Sequence, residues 1–448
     1  MNGSGGSSED KHQNEDEVII DIKDNIERCI YRVPKKLRNI NNDAYTPHIV
    51  SIGPYHHGKE KWDDLESKKE WKWDDMQKHK ERYLEKFRKK EKIENFVKEE
   101  EQRIRACYGE NFQGFDFIEM IVRDAVFIIE LFLRKYRDDR GDFLLSKPWL
   151  TNAIKLDLQL LENQLPYFVL EELYVLAYGC SARPSFLTLS CKFFGYKEPD
   201  GGAKQDMEIK HFVDLRRHTM LVGVDQNIPK SLGGKIEDLP SAVKLHESGV
   251  KFKSVKSKDA VKPGESRRKC KPEKGLLNIE FEKREREDSC IWWLRGQVLK
   301  IPRLKIEDGT ECLFRNLMAL EQCHYPFETH ICNYIDLMDA LINTRKDVDL
   351  LVDHRIISNC VGDHDSIKEM FNRLCLEITP SISCYQHICD GLKKHHDKWW
   401  NRTKATLISV YFENLWRGTG TIAATVLLLL TLLQTIKRFY PALFTDSK

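Results

Sequence analysis

The chain has 448 residues, 41% of them hydrophobic and 32% charged, with a formal net charge of +2. That length exceeds one average domain and allows a sizeable core. The near-neutral balance excludes a global pull towards nucleic acid, so no nucleic-acid partner is expected. Thirteen cysteines, an odd number spread from Cys29 to Cys389, lack the tight spacing of a disulfide scaffold and fit a reducing compartment.

Residues 1–27 are Gly/Ser-rich, then acidic, with no apolar core. They are expected to form a disordered tail and not a secretory signal. Residues 28–195 are expected to form an N-terminal helical lobe. Within it, positions 60–107 are charged but place Leu84, Phe87, Ile93, Phe96, Val97 and Ile104 at helical spacing, as exposed amphipathic helices do. KWDDLESKK at Lys61 recurs as KWDDMQKHK at Lys72, an offset of 11 residues, which is close to three helical turns and would keep one face buried. The segments 115–136 and 150–176 are apolar over most of their circumference and are expected to form the centre of the core. Pro166 should kink or split the second near Leu165.

Residues 196–275 are polar, Gly- and Lys-rich, and read as a variable linker, including the basic run 251–274. A C-terminal lobe over 276–415 follows. It opens with LLNIEFE and VLKIPRLKIED, whose alternation predicts two short antiparallel strands, and continues as helices from Cys312. The expected fold class is mainly α: a two-lobed helical body with a small antiparallel β-sheet and one C-terminal transmembrane helix.

That last helix is expected over 416–438, with a short tail at 439–448. Its uncharged core of 19 residues includes Gly418, Ile422, Val426, Leu430, Leu433 and Ile436, and is fenced by Arg417, Lys437 and Arg438. Roughly 20 apolar residues cross a bilayer, so a single-pass span with lipid as partner is the expectation. The flanking cations are balanced. The missing signal and the cysteines then favour a tail-anchored protein of the plasma membrane or endoplasmic reticulum with a cytosolic body.

No G-x-x-x-x-G-K-[ST], G-x-S-x-G or H-E-x-x-H motif occurs. Acids set in apolar helices, namely Asp124, Glu130, Asp157, Glu162 and Glu321, hint at a carboxylate site. Glu321 and His324 form one Glu-x-x-His, whereas a di-iron bundle needs two. The expected role of Asp124, Glu130, Glu162, Asn163, Gln164 and Glu321 is therefore structural, as buried hydrogen-bonding groups. Cys323, His324, His330 and Cys332, and again Cys384, His387 and Cys389, lack established zinc spacing. No catalytic residue, metal or cofactor is assigned. SIGPYHHG presents His56 and His57 at a turn, and with Trp292 and Trp293 they make up a candidate patch for an unknown protein partner.

Several long blocks then align with one family. IYRVPKKLRNINNDAYTPHIVSIGPYHHGKEK from Ile30, KPWL from Lys147, LLENQLPYFVLEELY from Leu160 and IPRLKIEDGTECLFRNLMALEQCHY from Ile301 resemble the plant proteins carrying domain of unknown function 247. The resemblance spans nearly everything from Ile30 to Phe439. It implies a mostly helical body, a variable middle, a C-terminal membrane helix and no known catalysis or cofactor. Some grass relatives are candidate self-incompatibility determinants, which implies recognition of a partner. Two departures are the doubled Lys-rich segment and the insert Lys283 to Gln297 between the strands. The resulting expectation is a membrane-tethered recognition or signalling protein. The alternative is a hydrolase or metal-dependent enzyme using buried carboxylates and histidines.

Overall fold

The computed structural model describes residues 27–57, 73–87, 89–179, 184–198, 208–222, 236–255, 275–283, 297–379, 382–398 and 415–439. Side chains at 73–74, 415–418, 421–422, 437 and 439 are outside that description. So are the first copy of the Lys-rich repeat and the insert with Trp292 and Trp293.

The described chain is mainly helical, with two small sheets. It begins with α1 (Lys35–Ile40) and a single 3₁₀ turn at Asp43–Tyr45. Helices α2 (Trp73–Glu85), α3 (Lys90–Glu99) and α4 (Glu101–Ala106) follow. They are more deeply packed than their charge suggests: Met76, Lys80, Tyr83, Phe87, Ile93, Val97 and Ile104 are all buried. Each lies on the helix face turned to the core, as the three-to-four spacing requires.

The core of this lobe is α5 (Phe117–Tyr136), which starts where the Asp116 carboxylate accepts the Glu119 N–H at 2.9 Å. Thirteen of its 20 residues are buried, so helices must cover it on several sides. Around it pack α2, α3, α8 (Tyr167–Tyr178) and α9 (Phe186–Phe194). Short α6 (Phe143–Ser146) and α7 (Pro148–Asp157) precede α8, and Pro148 opens α7 at a position that needs no N–H. The helix expected over 150–176, to be kinked or split by Pro166 near Leu165, is therefore two helices. Pro166 sits at the start of α8, and residues 158–166 between them are irregular but almost wholly buried.

The stretch read as a linker is partly structured. It supplies α10 (Phe212–Leu221), α11 (Ala242–Glu247) and β1 (Val250–Val255). Strands β2 (Glu280–Lys283) and β3 (Gln297–Pro302) pair antiparallel with Phe281 opposite Leu299, as their alternation predicts. However, β1 pairs parallel to β3, Phe252 opposite Leu299, which makes a mixed three-stranded sheet in place of the antiparallel pair. The parallel strand was hidden because its residues, VKFKSV, sit in a Lys-rich polar stretch that reads as linker. A second sheet pairs β4 (Leu304–Ile306) with β5 (Ile357–Asn359), again in parallel. The remaining body helices are α12 (Thr310–His324), α13 (His330–Leu341), α14 (Arg345–Asp353), α15 (His364–Leu374) and α16 (Gln386–His396). Thr344 and Asp347 form a reciprocal capping box at the start of α14, and Asp347 also accepts the Val243 N–H at 2.8 Å, joining α11 to it.

The final helix, α17, runs Leu415–Phe439. Of the positions expected to span a bilayer, Val426, Leu430 and Leu433 are exposed and Ile436 is half-buried, while the side chains of Gly418 and Ile422 lie outside the described residues. Thr431 and Thr435 return their hydroxyls to carbonyls four residues earlier, each at 2.8 Å. Among the described residues no helix is long and apolar enough to cross a membrane. This finding replaces the single-pass anchor, and the membrane localisation built on it, that the sequence led us to expect.

Two hydrophobic cores result. One gathers α2–α9, and the other gathers the sheets with α11–α16. Three segments belong to both: residues 28–57, helix α10, and residues 158–166, which place Leu158 and Leu165 in the first core and Leu161 in the second. Residues 28–57 place Cys29, Ile30, Ile49, Val50, Ile52 and Tyr55 in the first core, and Val33, Leu37, Ala44 and Tyr45 in the second. Helix α10 does likewise, with Phe212 and Leu215 facing one core and Val213 and Met220 the other. The first of these is a strap without regular structure over most of its length.

The strap passes so close to 158–166 that Gly53 has no room for a side chain. Its φ is +73°, and an added Cβ would lie 2.5 Å from the Gln164 carbonyl oxygen. Gly114 has a similar φ of +91° but open space around it. Gly114→Ala is expected to lose about 1 kcal/mol through backbone conformation alone, and Gly53→Ala about 2 kcal/mol or more because the strap must also move. Urea denaturation of the two variants checks this; equal losses would mean that the strap is not held tightly against residue 164.

Candidate functional site

Most of the strap's backbone N–H groups lack a strand or helix partner, and buried donors must find acceptors. The acids and amides of the N-terminal lobe supply them. Asp157, at the end of α7, accepts from His48 at 3.0 Å, Ile49 at 2.6 Å and Val50 at 2.8 Å. Asn163 accepts the Ile52 N–H at 2.6 Å and donates to the Val50 carbonyl at 2.9 Å. Asp124 on α5 accepts the Gly53 N–H at 2.9 Å. Its other oxygen meets Lys80 Nζ at 2.6 Å, and that ammonium also donates to the Ser51 carbonyl at 2.5 Å. Lys80 and Asp124 are both buried, so each neutralises a charge the other would leave stranded.

Glu162 holds the other stretch of the strap. One oxygen accepts the Val33 N–H at 2.7 Å; the other lies 2.6 Å from Arg38 and 3.3 Å from His56 Nε2. Burial alone would raise this carboxyl, but His56, Arg38 and the Val33 amide together outweigh it and hold it at about 2. Burial pushes Asp157 the other way, to about 6, against the pull of its three amide donors. Gln164 faces α10, accepting the Phe212 N–H at 2.9 Å while its amide nitrogen donates to the Leu158 and Leu160 carbonyls. From the C-terminal lobe, Asn316 on α12 reaches back: it accepts the Leu161 N–H at 2.8 Å and donates to the Ala44 carbonyl at 2.7 Å.

A second polar cluster fills the seam between α10 and α12. His211 Nε2 donates to the Cys29 carbonyl at 3.1 Å, and its Nδ1 accepts the Asp214 N–H at 3.3 Å, which fixes one neutral tautomer. Burial pulls this histidine down to about 4. Asp214 accepts from the Lys210 N–H at 2.9 Å and the Tyr325 hydroxyl at 2.9 Å, with His218 at 3.4 Å. Burial would raise it, yet the two histidines and the amide hold it at about 2. Arg217 stacks 3.9 Å over Tyr325, bonds Glu321 at 3.1 Å and donates to the Glu328 carbonyl at 2.6 Å. The Tyr31 hydroxyl donates to the Arg28 carbonyl and accepts from His324 Nδ1, both at 2.9 Å.

The structure places the six acids and amides predicted to be structural as follows. Asp124, Glu162, Asn163, Gln164 and Glu321 are buried. Glu130 is half-buried and joins α5 to α8 through the Tyr178 hydroxyl at 2.8 Å, beside Arg134. Glu321 and His324 do not converge: Glu321 caps α13 by accepting from Ile331 and Cys332, whereas His324 faces Tyr31. His56 turns inward onto Glu162, and His57, half-buried, packs its ring 4.5 Å from Phe115. Trp292 and Trp293 lie outside the described residues. Among the described residues no group of His, Cys, Asp and Glu is placed to hold a metal. Sequence reasoning missed Lys80, Asn316, His211, Asp214 and Arg217. Asn316 was detectable as an amide on the apolar face of α12, and Lys80 as the end of the second repeat copy. The α10 residues lay in the supposed linker.

Glu162→Gln is expected to lower stability at pH 7 by about 3 kcal/mol, since a carboxyl held near 2 instead of 4.5 favours the folded state by that much. Because the folded value is depressed, this stabilisation is complete above pH 4.5 and fades as pH falls towards 2. Denaturant midpoints of both proteins at pH 7 and pH 3 check this; a gap that does not narrow at pH 3 contradicts the ionic role of Glu162.

Comparison with known proteins gives the chain its relatives. A UPF0481 protein of Arabidopsis thaliana is 29% identical over 442 residues, covering 91% of this chain and 85% of its own length. A second UPF0481 protein of the same plant is 22% identical over 477 residues, covering 90% and 89%. No solved structure matches the chain. The model of the plant protein family of unknown function DUF247 matches residues 30–430, and the chain belongs to that family.

Proposed function

We propose that this protein is a recognition component that binds another protein and carries out no catalysis of its own. The observation that supports this is the engagement of its buried acids. Asp124, Asp157, Glu162, Asp214 and Glu321 each accept backbone amides or pair with a fixed cation or hydroxyl. A general acid or base needs a proton-bearing atom turned towards a substrate, and these carboxylates are turned towards the strap and the lobe seam. They act as fasteners for a scaffold.

A scaffold functions through its surface, and one edge of the C-terminal lobe has suitable chemistry. Phe327, 87% exposed, projects from the turn between α12 and α13. Leu376 and Ile382, each 51% exposed, lie on the segment after α15. That segment is pinned beside the same turn: Gln322 exchanges hydrogen bonds with Thr379 at 3.1 and 3.3 Å, and Asn333 donates to the Ile382 carbonyl at 3.2 Å. Three apolar side chains held on one rigid edge suit a protein partner better than a small polar substrate. The net charge of +2 gives nucleic acid no advantage as that partner.

The paired substitution Phe327→Glu and Leu376→Glu is expected to leave the unfolding temperature unchanged. Recovery of a defined set of proteins by chemical cross-linking in plant extract is expected to fall about tenfold, as loss of an interface anchor does. Equal recovery by both proteins would remove this edge as an interface. Turnover of an ester, amide or phosphate substrate, abolished by Asp214→Asn, would establish the enzyme reading instead.

A further inference from the structure

The start of the strap carries chemistry that neither the fold nor the recognition role uses. Ile30 forms a parallel bridge with Tyr108, and the Cys29 and Ile30 N–H groups both donate to the Cys107 carbonyl, at 3.1 and 2.9 Å. Cys107 closes α4 with helical backbone angles, φ −66° and ψ −18°, and it is the two N–H···O bonds onto its carbonyl that hold the Cys29 backbone against it. Backbones joined by a direct N–H···O=C bond approach to about 5 Å, inside the range a disulfide bridges. Both cysteines are free and buried. Their thiols also interact directly, which raises Cys29 and lowers Cys107.

We propose that Cys29 and Cys107 are a reversible dithiol–disulfide pair that locks the strap to the N-terminal lobe under oxidising conditions. The oxidant is a hydroperoxide. The Cys107 thiolate, acidified by its neighbour and helped by Arg103 and Lys210, attacks the peroxide O–O bond. It becomes a sulfenic acid, and the alcohol leaves with a proton. Cys29 then attacks the Cys107 sulfur; the S–O bond breaks, and water departs with the Cys29 proton. Two thiols and one hydroperoxide thus give one disulfide, one alcohol and one water.

The remaining described cysteines provide the control. Cys332 and Cys389 are also buried, but neither has another described cysteine hydrogen-bonded to its backbone. A Cys29–Cys107 bond would close a long loop and restrict the unfolded chain. It would do so where His211 also holds the Cys29 carbonyl, at the point where the strap leaves one core for the other.

The test uses the full chain, fully reduced, exposed to tert-butyl hydroperoxide, alkylated and mapped by peptide mass spectrometry. The expected product joins the Cys29 and Cys107 peptides with loss of two hydrogens and reverts with dithiothreitol. Unfolding temperature should rise by about 5 °C on oxidation. In Cys107→Ser the cross-link should vanish and Cys29 should remain open to alkylation. The proposal is overturned if both thiols of the wild-type chain stay alkylatable after oxidation. It is equally overturned if Cys107 proceeds to sulfinic acid with Cys29 free, or if Cys29 joins a different cysteine. The wild-type map decides between these outcomes even if the serine variant does not fold.

Discussion

The constraint on which the rest depends is the need to satisfy the backbone of a buried, irregular strap. Residues 28–57 run between two hydrophobic cores, with Val33 and the whole stretch 49–56 buried there. An unpaired buried N–H costs about 1–3 kcal/mol, so a run of them would prevent this packing outright. Asp157 answers three of these amides, while Asp124, Asn163 and Glu162 answer one each. Strong acceptors at those positions allow a loop to do what a central strand or helix does elsewhere.

The same arrangement explains why so many charges lie inside a protein with no described metal cluster. A carboxylate that accepts several amides replaces most of its hydration, and a cation such as Lys80 or Arg38 removes the remaining cost. The seam between α10 and α12 follows the same rule with different residues. Asp214 gathers an amide, a tyrosine hydroxyl and a histidine, while Arg217 is held by Glu321, a carbonyl and an aromatic face. Both clusters are therefore joints, and the two lobes meet through hydrogen bonds of fixed direction as well as through apolar contact. Directional joints set the relative position of the lobes.

Much of the fold was legible in the chain. The apolar circumference of 115–136 marks α5, the alternation in LLNIEFE and VLKIPRL marks β2 and β3, and Pro166 marks the break before α8. The polar residues inside apolar segments signalled burial, since Asp124 and Glu162 are set among mostly apolar neighbours. What could not be read was their partners. Nothing in the sequence near residue 157 shows that its carboxylate meets residue 48, because such pairs form only when the chain folds back. The parallel strand β1 was hidden for a related reason: its partner β3 lies more than forty residues away, across a Lys-rich stretch that reads as linker. The C-terminal apolar run showed the opposite failure. Composition over 418–436 matches a span, whereas among the described residues no helix is long and apolar enough to cross a membrane.

The reach of the strap also sets an order of assembly. Its Val33 amide is answered 129 residues later, by Glu162, and its Ala44 carbonyl 272 residues later, by Asn316. During synthesis at about 5–20 residues per second, the strap leaves the ribosome well before Asn316 exists. For that interval the N-terminal lobe can gather around α5, but Val33, Leu37, Ala44 and Tyr45 have no second core to enter. These side chains must be shielded by other means, and closure of long loops is slow. A nascent chain of this protein therefore carries an exposed apolar flap until α12 emerges, and that flap is where a chaperone would bind.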